Sequence, residues 1–171
     1  MGKIDKVGSL EISHDLEFQR RSWTVQRVGW ALMVLVSVAT LLGLFGRGPL
    51  SSAHVGGDGS PLRADYERFV RMDAPAELTI HLGGAAIRPD STAELWLDRK
   101  WLSDMEVKTI TPEPETTRTG AKGVVYSFNL DPAATPGLVT FKLETRSTGR
   151  IDGRIGLVNG PSYAFSQFSY P

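Results

Sequence analysis

Cysteine is absent from the 171-residue sequence. Its absence excludes disulfide bonds, thiolate catalysis, cysteine-ligated zinc and an anchor built on a lipidated cysteine. A folded domain outside the cytoplasm would therefore depend on its apolar core alone. This composition favours a bacterial envelope protein over a secreted eukaryotic one.

Histidine is scarce, and the three residues His14, His54 and His81 do not have metal-ligand spacing. The sequence contains neither the zinc motif H-x-x-x-H nor a D-x-D-x-D-G calcium loop, and no serine lies in a G-x-S-x-G turn. No glycine-rich phosphate loop precedes a predicted helix. We therefore expect no metal, no cofactor and no catalytic site, and predict that the protein is not an enzyme.

An excess of either charge is also missing, because 19 Lys and Arg residues balance 19 Asp and Glu residues. Proteins that bind nucleic acid usually carry a basic patch that attracts the phosphates. The sequence has no such patch, and we predict no nucleic-acid partner.

One long uncharged run is present at residues 28–46, where Ser37 and Thr40 are the only polar side chains. As a helix it would be roughly 28 Å long, close to the thickness of the hydrocarbon core of a bilayer. A secretory signal has a shorter apolar core, about 7–15 residues, behind a short basic head. The head here is 27 residues long. The sequence predicts a retained transmembrane helix, although Ser51-Ser52-Ala53 leaves cleavage after Ala53 open.

The flanking residues predict the orientation of this helix. Three arginines precede the run and one follows it at once. Since cations stay on the cytoplasmic side, we expect a cytoplasmic N-terminus and an extracytoplasmic C-terminal domain in the bacterial inner membrane. Two tryptophans suit the headgroup zone. The predicted topology and interface anchors are Arg20, Arg21, Trp23, Arg27 and Trp30.

Small residues within the run indicate where another helix could approach. Ala39 and Gly43 form a small-x-x-x-small pair, which allows two helix backbones to come close in lipid. Ser37 and Thr40 could add a hydrogen bond between helices. The pair is common by chance, so we regard it as a possible helix-packing site only.

The sequence divides into four parts. Residues 1–27 are a cytoplasmic tail and juxtamembrane helix, with a mobile stretch over 1–12 and a helix start after Ser13. Residues 28–46 are the transmembrane helix. Residues 47–63 are rich in Gly, Ser and Pro and are interpreted as a flexible tether. Residues 64–171 are an extracytoplasmic domain.

Apolar and polar residues alternate in that domain, at residues 78–82, 105–109, 124–130 and 139–143. Alternation with period two indicates half-buried strands. Ser147-Thr148-Gly149 and Asn159-Gly160 predict hairpins that join 138–146, 150–158 and 162–169 into a meander. About seven strands with no helix among them predict an immunoglobulin-like antiparallel β-sandwich.

Trp96 is the candidate partner contact of this domain. If Ala93, Leu95 and Leu97 face the core, then Trp96 lies on the outer face, where an exposed indole could contact a partner or a sugar ring. The favoured alternative is that Trp96 packs beneath a neighbouring loop or, in the other register, becomes the core tryptophan.

Three segments resemble those of small single-pass bacterial membrane proteins of uncharacterised activity that carry an outer β domain. They are FQRR at 18–21, QRVGW at 26–30 and GRGPLS at 46–51. The resemblance implies a membrane location and an outer β domain. It implies no activity and assigns no functional residue.

The sequence thus favours a non-catalytic accessory or scaffold protein that holds another envelope protein with its helix and outer domain. The alternative is a ligand- or glycan-binding sensor module of the envelope. A cytoplasmic tail of 27 residues is too short for an output domain, which lowers the weight of the sensor hypothesis. The expected partners are the lipid bilayer and another membrane or envelope protein, and the oligomeric state stays undetermined.

Overall fold

A computed structural model describes residues 4–7, 10–13, 16–42, 50–57, 59–131, 133 and 136–171. The chain divides into two compact units, Met1–Leu41 and Leu42–Pro171. Residues 43–49 lie outside the described residues. They include Gly43 and the first three residues of the predicted tether.

The first unit holds a hairpin and one long helix. Strands β1 (Ile4–Val7) and β2 (Leu10–Ser13) pair antiparallel, and helix α1 spans Leu16–Leu41. The hairpin corrects the prediction of a mobile stretch over residues 1–12. The alternation of apolar and polar residues in Leu10–Ser13 was the signal for it, because period two favours a strand.

Helix α1 is apolar on all sides over most of its length. Its segment Arg20–Leu41, 22 residues long, is long and apolar enough to cross a membrane by length and composition. None of that segment is buried within the structure. The predicted span ended at residue 46, whereas the helix ends at Leu41 and residues 43–46 are not described.

The second unit consists of two β-sheets. The five-stranded sheet has the order β3 (Ser52–Val55), β4 (Leu62–Glu67), β6 (Pro75–Leu82), β11 (Gly137–Thr145) and β8 (Met105–Thr111). The six-stranded sheet has the order β5 (Phe69–Arg71), β13 (Ser162–Tyr170), β12 (Gly149–Leu157), β7 (Thr92–Asp98), β10 (Gly123–Asn129) and β9 (Thr116–Thr119). All of these pairings are antiparallel except that of β5 with β13, which is parallel.

The inner faces of the two sheets share one apolar core. Alternate residues of β6 and β11 are buried, as the period-two pattern predicts. Phe141 of the five-stranded sheet meets Tyr126 of the six-stranded sheet at 5.3 Å between ring centroids, and meets Phe128 at 6.5 Å. These contacts across the interior define a β-sandwich.

The flexible tether predicted for residues 47–63 is wrong from residue 52 onward. Strand β3 pairs with β4, and Ala53 and Leu62 are both buried. Strand β4 begins before the predicted domain boundary at residue 64. Two short apolar stretches separated by glycines resemble a tether in composition, but β4 pairs with β6 and β3 pairs with β4, so both belong to the sheet.

A short helix follows β7, although no helix was predicted after the apolar run. Helix α2 (Arg99–Asp104) begins after Asp98, whose carboxylate accepts a hydrogen bond from the backbone N–H of Lys100. Six residues are too few to display a helical period, so only this N-cap signals it. Gly84–Ala86 form a 3₁₀ turn. Helix α2 carries Trp101, which is fully buried in the core.

The three C-terminal strands are present, but they do not form the predicted meander. Strand β11 pairs with β6 and β8, whereas β12 pairs with β13 and β7. The chain therefore crosses from one sheet to the other after Thr145, and Gly149, at φ +99°, begins β12. The hairpin predicted at Asn159-Gly160 is confirmed, and the one at 147–149 is wrong. Turn residues report a change of chain direction and not which strand is paired next.

Candidate interaction surfaces

The predicted interface anchors lie on the exposed surface of α1. The guanidinium carbon of Arg27 is 4.5 Å from the ring centroid of Trp23, one turn away, which is a cation–π contact. Trp30 is exposed, and its position seven residues after Trp23 brings both indoles to one side of the helix, about 10 Å apart along the axis. Arg20 and Arg21 are exposed as well.

The polar side chains within the apolar segment are satisfied by their own helix. The Ser37 hydroxyl donates to the carbonyl of Met33, and the Thr40 hydroxyl donates to the carbonyl of Val36, each at 2.8 Å. Neither hydroxyl therefore requires a second helix as acceptor. Ala39 is half-buried, and its predicted packing companion Gly43 lies outside the described residues.

Trp96 lies on the outer face of the six-stranded sheet, yet only 5 % of it is exposed. Its cross-strand neighbours are Val125 and Gly156. A Cβ atom at Gly156 would lie 2.9 Å from the indole Nε1, so the absence of a side chain there makes room for the ring. The Lys122 ammonium lies 5.6 Å from the ring centroid. Trp96 is thus buried on the outer face of its own sheet and is not a member of the core between the sheets.

Glu94 lies next to Trp96 on the same outer face, and 14 % of its side chain is exposed. Its carboxylate accepts hydrogen bonds from the guanidinium groups of Arg118, at 3.0 Å, and Arg88. The hydrogen bond from Arg118, opposed by desolvation and aided by Arg88, lowers the pKa of Glu94 below its ordinary value. The resulting anion links the edge strand β9 to the loop before β7.

The outer face of the five-stranded sheet carries a cluster around Asp65. His81 Nε2 is 2.8 Å from one carboxylate oxygen of Asp65, and Arg63 Nε is 3.1 Å from the other. His54 is opposite Asp65 in the β3–β4 pairing. Shallow depressions flank the cluster on both sides. Among the described residues, no group of three or more His, Asp or Glu side chains is arranged to hold a metal ion.

A third depression, larger than these two, is an open groove at the side of the six-stranded sheet, here called the cationic groove. The groove is lined by four cationic and two acidic side chains, and its floor consists of aromatic and small residues. Its lining is Arg68, Lys100, Arg150 and Arg154 with Asp98, Asp152, Tyr66, Gly153, Ala164, Phe165 and Ser166.

Charge in the cationic groove is only partly compensated. Arg150 Nε donates to Asp152 Oδ1 at 2.9 Å, and this hydrogen bond lowers the pKa of Asp152. Within the described part of the chain, the side chains of Arg68, Lys100 and Arg154 form no ion pair. The groove therefore presents a local positive charge on a molecule whose formal net charge is zero.

The sequence did not predict this groove, because its cations come from separate elements. Arg68 follows β4, Lys100 lies in α2, and Arg150 and Arg154 belong to β12. The one available signal was the alternation of charged residues over 150–154, which indicates a strand with a charged outer face.

The described residues thus define a class of protein: a mainly β chain whose two-sheet sandwich follows one apolar helix. No family model and no curated protein matches the sequence. Among solved structures, the chain is similar to a cohesin module from the Clostridium perfringens ATCC13124 family 33 glycoside hydrolase. The TM-score is 0.42 and the identity 11 %, over 64 % of this chain and 96 % of that module. At these values the likeness carries no argument about function.

Proposed function

We propose that the protein is a non-catalytic, membrane-anchored accessory or scaffold protein of the bacterial inner membrane. Its helix α1 crosses the bilayer once, and its outer, immunoglobulin-like sandwich holds an envelope protein partner. The observation that carries the proposal is the segment Arg20–Leu41, which has no charged side chain after Arg27 and no residue that is buried in the structure.

An apolar helix of this kind is costly in water. Each large apolar side chain left exposed forgoes about 1.5–3 kcal/mol of burial free energy, and the described side chains of α1 include eleven exposed ones. A bilayer removes that cost, and the 22-residue segment would be about 33 Å long against a hydrocarbon core of about 30 Å. The internal hydrogen bonds of Ser37 and Thr40 suit lipid, where an unsatisfied polar group is expensive.

The residues around the alternative cleavage site support a retained anchor. Ser51 is fully buried, and its hydroxyl lies within hydrogen-bond distance of both the N–H and the carbonyl of Phe69. Ala53 pairs with Tyr66 in the sheet. Cleavage after Ala53 would divide strand β3 and remove these contacts, so a cleaved product would lose part of its fold.

The flanking charge supports the proposed orientation. Arg20, Arg21 and Arg27 all lie on the N-terminal side of the apolar segment's centre, and the cationic side of a membrane helix stays in the cytoplasm. The sandwich then lies outside the cytoplasm, where its charged surfaces are available to an envelope protein.

The test is in-cell cross-linking of the full-length protein, tagged at its C-terminus, followed by purification in mild detergent and identification of the cross-linked proteins. The matched control replaces the sandwich residues 50–171 with an unrelated soluble domain and keeps α1. A specific membrane or envelope protein cross-linked only by the natural protein is the expected result. If none is found while the purified protein binds a sugar or small molecule in a thermal-shift screen, the sensor alternative replaces this proposal. Turnover of a substrate would contradict both.

A further inference from the structure

We propose that the unpaired part of strand β13, beside the cationic groove, accepts an acidic, extended segment of the partner protein as an added β-strand. This inference rests on the proposed function, since it names the surface and the kind of segment that the partner would supply. Strand addition gives affinity through backbone hydrogen bonds and specificity through alternate side chains.

The first observation is that β13 is only partly covered on one side. Edge strand β5 pairs with Phe168–Tyr170 alone, although β13 begins at Ser162. Phe168 donates its N–H to the carbonyl of Arg68 on that side, at 2.7 Å. Because backbone groups alternate between the two sides of a strand, Ala164 and Ser166 point their N–H and C=O groups to the same side as Phe168.

That side is open at both residues. Among the described residues, no strand pairs with β13 there beyond β5, and neither Ala164 nor Ser166 has a backbone hydrogen bond outside the β12–β13 ladder. Ala164 is exposed, and both residues line the cationic groove. An added strand that continues the line of β5 would therefore find two residues with free donors and acceptors.

One edge strand of the five-stranded sheet, β8, differs from the open part of β13. Strand β8 has a bulge in its pairing with β11 and carries the exposed Lys108, both of which discourage strand addition. The open part of β13 contains no proline, no bulge in its pairing with β12 and no charged side chain. The open part of β13 therefore lacks the features that discourage an edge strand from pairing with another chain.

Charge indicates what kind of segment would pair. Arg154 is opposite Ala164 in the β12–β13 ladder, and Asp152 is opposite Ser166. An added strand would lie about 9.6 Å from β12, with β13 between them. Since Ala164 is small, the long side chain of Arg154 can pass over it toward that strand. Carboxylates on the added segment would then meet Arg154, and also Arg68 and Lys100 from the groove's other walls.

The floor of the groove suits the other residues of such a segment. Tyr66 from the five-stranded sheet is half-buried and packs at 5.1 Å, between ring centroids, against Phe165 of β13. Side chains on the added strand alternate between faces. A segment with acidic residues on one face and apolar or threonine residues on the other therefore matches the groove.

The test measures binding of a fluorescent peptide of alternating Glu and Thr residues to the full-length protein in detergent micelles. Two further peptides carry N-methyl groups on alternate residues, one on the odd-numbered and the other on the even-numbered positions. Each therefore lacks the N–H groups along one edge of the peptide strand and keeps those along the other. We expect the unmodified peptide and one N-methylated peptide to bind, and the other N-methylated peptide not to bind. A lysine–threonine peptide should not bind.

Variants of the protein test the charge. Arg154→Gln should weaken binding about threefold to tenfold, within the range expected for exposed charge-assisted pairs. The matched control Arg146→Gln removes an exposed arginine that pairs with Glu106 outside the groove and should leave binding unchanged. Circular dichroism of both variants verifies the fold.

Three outcomes overturn the inference. No binding below about 1 mM peptide is one. Equal binding of both N-methylated peptides, even if Arg154→Gln weakens it, is the second, because the groove would then be a general anion site. The third is a dimer of the protein that Arg154→Gln dissociates, since the occupant would be a second copy. If the cross-linked partner is found and Arg154→Gln does not reduce its capture, the inference fails while the proposed function stands. If the peptide binds in one register but no partner is found in cells, the inference about strand addition stands and the proposed function fails.

Discussion

The helix and the sandwich use the same kinds of apolar residue in opposite ways. Leu35 of α1 is 67 % exposed, whereas Leu78 of β6 is 1 % exposed. The tryptophans divide likewise, with Trp23 and Trp30 exposed on the helix and Trp96 and Trp101 buried in the sandwich. The sandwich provides its own apolar environment, because two sheets cover each other. A single helix cannot do so, and the apolar side chains of α1 are left exposed.

This difference predicts that substitutions act separately in the two regions. Core substitutions should change the stability of the sandwich without affecting membrane retention. Substitutions in the helix should have the opposite effect. A substitution that acts in both regions would weaken the comparison.

The largest effect is expected for Phe141→Ala. Phe141 is fully buried between the sheets, and its truncation should lower the free energy of unfolding of the sandwich by about 3–5 kcal/mol through lost burial and the cavity left behind. Denaturant unfolding of the full-length protein in micelles, followed by near-ultraviolet circular dichroism, measures it. The control Leu35→Ala in the helix should leave that transition in place. A change within about 0.5 kcal/mol for Phe141→Ala would mean that the residue is not in the core.

The next effect is expected for a charge in the helix. Leu35→Arg should disfavour insertion by about 2.5–3.5 kcal/mol, the cost of arginine near the centre of a membrane helix. Cell fractionation should then find less of the protein in the membrane. Leu138→Arg is the matched control, because Leu138 is an exposed leucine of the sandwich. Equal retention of both variants would contradict the proposal that α1 lies in the bilayer.

The boundary of the sandwich gives a third prediction. A fragment of residues 64–171 should be less stable than a fragment of residues 50–171, by about 2–3 kcal/mol. The shorter fragment loses β3 and the fully buried Leu62, and burial of a leucine is worth about that amount. Paired urea titrations measure the difference. Identical stability of the two fragments would indicate that residues 50–63 are a tether and not part of the sandwich.

The smallest effect concerns Glu94. Glu94→Gln should cost about 1 kcal/mol at neutral pH, since the carboxylate is largely shielded but both arginines are partly exposed. The folded-state pKa of Glu94 is lowered from its ordinary value of 4.5. Its contribution is therefore complete above that value and is lost as the pH falls through the folded-state pKa.

Unfolding titrations of the natural protein and the variant between neutral and acidic pH test this. The difference between them should shrink below pH 4.5. Glu113→Gln, in an exposed loop, is the control and should have an effect within about 0.5 kcal/mol at neutral pH. A difference that grows on acidification would contradict the ion pairs described for Glu94.

The sequence predicted strands correctly where apolar and polar residues alternate over a long run, as in β6, β10 and β11, and missed the four-residue alternation of β2. It failed where pairing depends on distant residues. Nothing local to residues 146–148 indicates that both edges of β11 are occupied by other strands. The burial of Trp96 depends on a glycine 60 positions later, Gly156, being its neighbour in the sheet.

The cationic groove shows the same limit at the level of the site. Arg68, Lys100 and Arg154 are each unremarkable in sequence, because isolated cations are usual on strand and helix surfaces. Only the order of strands brings them to one groove. A sequence whose total charge is balanced can therefore still carry a local positive surface, which composition does not indicate.

The most direct test of the account is to determine on which side of the membrane each region lies. Because the protein has no cysteine, a single introduced cysteine is its only thiol. Thr148→Cys, exposed on the sandwich, should react with a membrane-impermeant maleimide in intact spheroplasts, whereas Ser22→Cys, exposed near the N-terminal end of the helix, should react only after lysis. The reverse pattern, or recovery of the full-length protein in the soluble fraction without detergent, would contradict the proposal that α1 anchors an outer sandwich.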